Sequence, residues 1–480
     1  MNAPHRNQTD RAAPLNRGQW ITLIGLAIVA LPTPWGWIGL GLACAGSLLH
    51  PKTLWISTGA LLGRPVIRLW LAWWLTIAAS MVWSPDLRLA HPEPLLMLLL
   101  IPAVASFRTH RNAVVLAIAM GISINVCVQL MHWTGWMKGD RYPSGWVSGG
   151  LFDYPPFAAI WTAVVLLLLL PMLSDGRSWP RALGFSVLAG LCMIGAHIAS
   201  SKIALLTGGV CVLLVGPVLM LRRSTLPGRV AVGSVVAATI AIVIWHCLRS
   251  NTLIHHRFSA LSRQIAAATT AHEEPVTDHA GKTPVDVTSP TGEGQPSMPT
   301  SAVATQTPAP APPTTRRNPS RKQQTRMQSS LGLRVLWWNA TSHIVIEAPV
   351  FGHGAGSTRD QLARAERTLP PDLAAGIDNF IIEDPHSSLL ATAIEQGLLG
   401  VGLLLACICT AFWVSLRATF RDVRHIGLAG AWFALAAGAL VHTLQFSPWM
   451  TALGATMIVL TAWTTQPVQT PPATEMDTHI

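Results

Sequence analysis

The chain has 480 residues, half of them apolar and only 11% charged, with twenty Trp against two Tyr and a formal charge of +11. A soluble domain carries about 25% charged residues, so this composition cannot coat a water-facing surface. It argues against a secreted enzyme, a cytosolic enzyme and a nucleic-acid binder, and it points to one polytopic membrane domain.

The hydrophobic stretches predict an all-α polytopic membrane protein of about 12 spans, near 19–31, 34–50, 66–83, 94–107, 111–133, 155–173, 181–199, 202–221, 229–248, 387–413, 424–444 and 449–466. Pro32 and Pro34 mark either a turn between the first two or a kink in one long helix. The predicted organisation is a cytoplasmic tail at 1–18, spans 1–9 within 19–249, an outer loop at 250–386, spans 10–12 within 387–466 and a second tail at 467–480.

Charge sets the orientation. The loop at 250–386 holds 12 Lys/Arg against 12 Asp/Glu, so the whole surplus of 11 flanks the apolar segments. With twelve spans, sixteen basic residues fall on the side of the two termini and five on the other, long loop excluded. Cytoplasmic loops retain Lys and Arg, which predicts both termini inside. Residues 1–18 are polar and the apolar stretch after them has no small-residue cleavage site, so it reads as an anchor rather than a signal peptide. All seven cysteines lie in apolar segments and are expected as buried small hydrophobes, with no disulfide framework or metal cluster.

The long loop has two halves. Residues 265–325 are rich in Ser, Thr, Pro, Ala and Gln, with ten prolines; such a stretch cannot bury enough apolar surface to offset chain entropy and is expected to be disordered. Residues 331–386 are expected to be ordered. Leu331 to Glu347 has apolar residues at helical spacing, and Pro349 ends it. The run Pro349-Val-Phe-Gly-His-Gly-Ala-Gly356 makes a turn in which Gly352 and Gly354 allow positive φ and let backbone N–H groups approach a ligand. Thr358–Leu369 reads as a short helix with a solvated face of Arg359, Arg364 and Arg367.

Chemistry concentrates where the loop ends. His386, in Glu383-Asp384-Pro385-His386-Ser387-Ser388, stands at the membrane boundary, where a neutral imidazole can accept a proton; satisfaction by Ser387 is the structural alternative. Glu395 lies inside the next span, where an ionisable group costs several kcal/mol unless paired or protonated. Nine residues from His386, it faces away from it and reads as a tie to a neighbouring helix, with Gly397 and Gly400 letting that neighbour approach. Lys202, Arg334 and Arg257 are outer-side cations suited to a pyrophosphate-linked lipid, with ordinary lipid headgroups as the alternative.

His386-Ser387, nine residues, then Gly397-Leu398-Leu399-Gly400 resembles the His-Asn/Ser/Gln, nine-residue, Gly-x-x-Gly pattern of O-antigen ligases. These belong to a superfamily that includes O-antigen polymerases and bacterial protein O-oligosaccharyltransferases. Ser200-Ser201-Lys202 is similar to the family's small residue–Ser-Arg helix start, with Lys in place of Arg. Arg334, Trp337, Pro349, Gly352 and Gly354 resemble its Arg…Trp…Pro-x-x-Gly-x-Gly element. The resemblance covers most of the chain except 265–325, which looks like an insertion. It implies a GT-C-like fold in the bacterial inner membrane and an inverting glycosyl transfer on the periplasmic face, without metal or other cofactor. The donor would be a glycan on undecaprenyl pyrophosphate and the acceptor a hydroxyl, in a ligase that of lipid A–core. His386 would be catalytic, and Arg334, Lys202 and Arg257 would hold the pyrophosphate. A polymerase, a protein O-oligosaccharyltransferase and, in another class, a transporter or flippase remain as alternatives.

Overall fold

The computed structural model describes residues 14–31, 34–85, 93–137, 150–152, 154–199, 202–222, 225–245, 338, 341–367, 385–444 and 447–465. All belong to one unit, built from residues 1–251 and 334–480. The expected disordered insertion at 265–325, residues 1–13 of the first tail, the second tail, Arg257 and Arg334 lie outside the described residues, as does Cys247, whereas the last residues of the first tail, from Arg17, already belong to a helix. Among the described residues every regular element is helical.

In chain order these are α1 (Arg17–Val29), α2 (Trp35–Leu48), α3 (Pro51–Leu62) and α4 (Pro65–Ser80). Next come α5 (Glu93–Ala105), α6 (Arg111–Trp133), α7 (Pro155–Ser174), α8 (Trp179–Ile198), α9 (Lys202–Arg222) and α10 (Leu226–Trp245). After the long loop follow α11 (Thr358–Arg367), α12 (Ser388–Arg421), α13 (Ile426–Val441) and α14 (Pro448–Thr464). Local chemistry places several starts. Asn16 and Gln19 form a reciprocal capping box on α1. Proline opens α3, α4, α7 and α14, where its missing N–H costs nothing.

Eight helices are long and apolar enough to cross a membrane: α4 extended to Trp83, α6 extended back to Arg108, α7, α8, α9, α10, α12, and α13 extended back to Val423. The other four expected spans are shorter. α1 and α2 have 13 and 14 residues, α14 has 17, and a 3₁₀ turn at Met97–Leu99 interrupts α5. At 1.5 Å per residue even 17 residues reach only about 25 Å, against roughly 30 Å of hydrocarbon. Helix α3 was not anticipated; its exposed Trp55 and Ile56 leave it little buried surface.

α1 and α2 are an antiparallel hairpin, so the prolines between them turn the chain rather than kink one helix. Glycines set the approach. Gly25 faces Gly39 and Ala43, Gly46 faces Gly18 and Thr22, and Thr22 Oγ1 donates to the carbonyl of Ala43 at 3.3 Å. α7 forms the centre and is buried on every face, as is α14 from Trp449 to Trp463. A helix apolar all round belongs inside a bundle. α6, α8, α9 and α13 pack around α7. Trp432 on α13 donates its indole N–H to Thr461 Oγ1 on α14 at 2.7 Å, which satisfies a polar group deep in the packing. Cys192, Cys211 and Cys407 are buried, but Cys127 and Cys409 are exposed on outward faces, contrary to the expectation of uniformly buried thiols.

The hairpin gives a paired test. A Cβ on Gly25 would collide with the Ala43 backbone and lie 2.7 Å from the Gly39 carbonyl oxygen, whereas one on Gly41 meets nothing within 4 Å. Gly25→Ala should cost about 1–3 kcal/mol and lower the melting temperature in detergent. Gly41→Ala should leave it unchanged or raise it slightly, since Ala favours helix by up to about 1 kcal/mol; equal effects would contradict this packing.

Candidate functional site

The helix that follows the long loop is not continuous. Gly397, ten residues into α12, adopts φ 64 and ψ −163, which no α-helix contains. The glycine-rich run 349–356 is spliced into the break. The N–H groups of His353 and Gly354 donate to the carbonyls of Ile394 and Glu395 at 2.8 and 3.0 Å. The N–H groups of Leu398 and Leu399 donate to the carbonyls of Pro349 and Val350 at 2.7 and 3.3 Å. The loop thus caps the end of one half-helix and the start of the next.

Sterics explain the glycines. Gly352, Gly354 and Gly397 have φ values of 68, 95 and 64. A Cβ on Gly352 would run into the Glu395–Gly397 backbone, and one on Gly397 into Val350. These glycines therefore bring two stretches of backbone together, and the N–H groups of His353 and Gly354 are spent inside the chain rather than offered to a ligand. Gly400 makes room for the side chain of Gln396, whose Oε1 would lie 2.6 Å from a Cβ there; its service is to its own helix, not to a neighbour.

Glu395 is buried at 2% exposure. Its carboxylate accepts from Thr358 Oγ1 at 2.8 Å and from the backbone N–H groups of Gly356 and Thr358. It sits at the amino end of α11, where helix N–H groups and the dipole favour an anion. The expected tie exists, but it runs to this short loop helix rather than to a span. The end of α4 is fastened to the same loop. Ala355 N–H donates to Ser80 O at 3.2 Å, Ser84 Oγ donates to Ala355 O at 2.6 Å, and Trp83 meets Phe351 edge to face at 6.5 Å. Residues 341–347 are helical and Arg364 on α11 pairs with Glu347 at 3.3 Å, an exposed contact of little energetic weight.

His386 precedes α12 with φ 52, making it the one non-glycine at positive φ among the described residues. For a residue with a Cβ this backbone state is disfavoured and persists where the surroundings over-determine it. Those surroundings are visible. Ser388 N–H and Oγ both donate to the carbonyl of His442, at 3.1 and 2.9 Å, and Leu444 N–H donates back to Ser388 Oγ at 2.8 Å. The buried His442, just past α13, lies edge to face with Tyr154 at 5.6 Å, with the Tyr154 hydroxyl 3.4 Å from Nδ1. Tyr154 immediately precedes α7.

Lys202 is the first residue of α9. Gly208 packs on Ala163 of α7, and Cys211 Sγ lies 3.7 Å from the Gly430 carbonyl of α13. Six residues before Gly208, the start of α9 is level with the start of α7; nine before Cys211, it is level with the end of α13. The described candidates His386 and Lys202 thus belong to one end of the bundle, together with Tyr154 and His442. Arg334 and Arg257 lie outside the described residues. Sequence reasoning missed Tyr154 and His442; the signal for the second was a His closing the apolar run that ends at Val441.

In comparison with known proteins, no family model matches the chain, and neither does any curated protein.

The splice should be testable by proteolysis. Glu395→Ala removes the acceptor for three donors and leaves them buried, each costing about 1–3 kcal/mol, so trypsin should cut faster at Arg359 and Arg364, while Glu395→Gln, which keeps an acceptor oxygen, should lie between. Equal cleavage rates in all three proteins would contradict the carboxylate's role in holding the loop.

Proposed function

We propose that this chain is an inner-membrane glycosyltransferase that moves a glycan from undecaprenyl pyrophosphate to an acceptor hydroxyl on the periplasmic face, as an O-antigen ligase does with lipid A–core. The reading rests on the resemblance of the His386–Gly400 segment and is supported by one observation above the rest: His386 is held in a strained left-handed conformation at the end of the bundle where Lys202 begins a helix. Strain of this kind gathers at sites where a side chain must be aimed. A lysine at a helix start adds nothing to that helix, because the dipole there repels a cation. It makes sense as part of an anion site, where helix N–H groups and ammonium act together.

In this mechanism the acceptor oxygen attacks the anomeric carbon while the bond from that carbon to the pyrophosphate oxygen breaks, with inversion. His386 takes the acceptor proton. Lys202, with Arg334 and Arg257 from the long loop, stabilises the charge that develops on the departing pyrophosphate. A diphosphate is a good leaving group, so charge stabilisation and in-line positioning carry the step. Tyr154 and His442 are neighbours of this end and fix its walls.

The topology proposed with this function has twelve spans. In it α1, α2, α5 and α14 complete the set as short spans within the bundle. Both termini lie in the cytoplasm, the loop at 250–386 lies in the periplasm, and the architecture is of the GT-C kind.

A broken helix with a carboxylate beside the break is also a transporter feature. Here the loop at 349–354 occupies two carbonyls and two N–H groups of the break, and the carboxylate accepts from three donors. That arrangement favours a static joint over an ion path. A polymerase or a protein O-oligosaccharyltransferase would share the donor chemistry and differ in the acceptor.

The decisive assay uses purified protein, an undecaprenyl-pyrophosphate-linked glycan and alternative acceptors: lipid A–core, a second lipid-linked glycan and a Ser/Thr peptide. His386→Ala should lower transfer by about 10²–10⁴-fold at normal protein level, and Lys202→Ala should lower it while Lys202→Arg retains most of it. Wild-type rates in His386→Ala would remove the catalytic assignment, and absence of transfer to every acceptor by the wild type would remove the function.

A further inference from the structure

A cavity of about 340 Å³ lies at the opposite end of α12 from His386. Its rim carries Arg111 at the start of α6, Arg181 in the first turn of α8, and Arg424 just before α13, against one carboxylate, Asp175, just after α7. Its walls are apolar. Val115, Leu168 and Leu428 stand one or two turns deeper along their helices than Arg111, Asp175 and Arg424, and Leu460 of α14 joins them. None of these residues takes part in the reaction proposed above.

The guanidiniums are unequally committed. Arg424 is clamped by Asp422, with Nε 3.1 and 2.8 Å from its two carboxylate oxygens and Nη2 2.7 Å from the nearer one, and it reaches Asp175 at 3.7 Å. Arg111 Nη1 lies 2.8 Å from Nε2 of His425. An arginine only donates, so that nitrogen must accept, and the imidazole is neutral. Arg111 is therefore aimed by an uncharged partner and keeps its charge; Asp422 and Asp175 attract it without an ion pair among the described residues, and Arg424 repels it. Arg181 has no hydrogen bond or ion pair among the described residues and is exposed. Two guanidiniums without a carboxylate partner thus stand at the mouth of a cavity whose depth is hydrocarbon.

We infer that this cavity binds an acidic phospholipid, with the headgroup phosphate between Arg111 and Arg181 and the upper acyl carbons along Val115, Leu168 and Leu428. The volume falls in the range of small-ligand sites, roughly 300–1,000 Å³. Guanidinium is the side chain suited to phosphate oxygens. The order of the layers, cations outermost and methyl groups one turn below, is that of a lipid at the membrane boundary, and basic pockets between spans are where anionic headgroups bind. A free phosphate shares the headgroup chemistry but has no use for the apolar walls.

Full-length protein in detergent, titrated with phosphatidylglycerol or phosphatidylcholine and weighed by native mass spectrometry, tests this. The wild type should retain one phosphatidylglycerol with about tenfold or greater preference over phosphatidylcholine, and millimolar inorganic phosphate should not displace it. Arg111→Gln and Arg181→Gln should each cut the preference about fivefold. Asp175→Asn, which removes the opposing charge, should raise it. Because Arg181 is unpartnered and Asp175→Asn predicts a gain, a fold defect in Arg111→Gln cannot mimic the pattern. Equal affinity for the two lipids, an unchanged preference in both Arg181→Gln and Asp175→Asn, or displacement by inorganic phosphate would each overturn the proposal.

Discussion

A backbone broken inside an apolar bundle must find partners for the peptide groups it frees, because hydrocarbon offers none and each unsatisfied group costs several kcal/mol. The joint between the loop at 349–354 and Gly397 of α12 is the solution to that constraint here, and much of the described loop follows from it. Four backbone hydrogen bonds cross the joint. Backbone can approach backbone this closely only where Cβ atoms are missing, which accounts for Gly352 and Gly397. Once the loop is seated, α11 begins beneath Glu395 and presents its first N–H groups to the carboxylate. The same seating draws the end of α4 in through Ser80 and Ser84.

The first half of α12 is consequently pinned at both ends. At its start Ser388 is cross-bonded to His442 and Leu444, and at its finish the loop closes over Ile394 and Glu395. A half-helix of nine residues has little stability of its own. Held in this way it becomes a rigid mount, and the left-handed turn at His386 sits directly on it. The cost of that conformation, of order 1–3 kcal/mol, is carried by contacts two residues away rather than by His386 alone. Glu395, which faces away from His386 along the helix, contributes by fixing the mount.

The larger features were legible because they are written in local composition. The long apolar runs gave the eight helices of spanning length. What could not be read depended on partners distant in the chain. Gly397 and Gly400 look in sequence like a helix-packing pair; that one of them breaks the helix is decided by a loop more than forty residues earlier. Gly352 and Gly354 look like a ligand cradle until the acceptors of the neighbouring N–H groups are known. Tyr154 and His442 meet across some 290 positions, and neither carries a local pattern that names the other. α3 escaped notice because its twelve residues are neither long enough for a span nor polar enough for a loop.

The two ends of α12 also manage charge by opposite means. At the His386 end the carboxyl group of Glu395 is taken out of solvent and surrounded by donors of its own chain. At the other end the acid remains near the surface and is matched by arginine. Burial alone would raise the Asp422 carboxyl, but hydrogen bonds from the Arg424 side chain and backbone, with the charge of Arg424, outweigh it and hold the group at about 2. Its folded-state value lies below the ordinary 3.8, so the stabilisation is complete above about pH 4 and is lost only as pH falls through about 2. Asp422 is therefore ionised at every pH a cell meets, and Arg424 is permanently engaged. Neutralising one arginine of the rim in this way leaves the uncommitted charge on Arg111 and Arg181. An anion drawn to that mouth meets two guanidiniums without first having to break an ion pair.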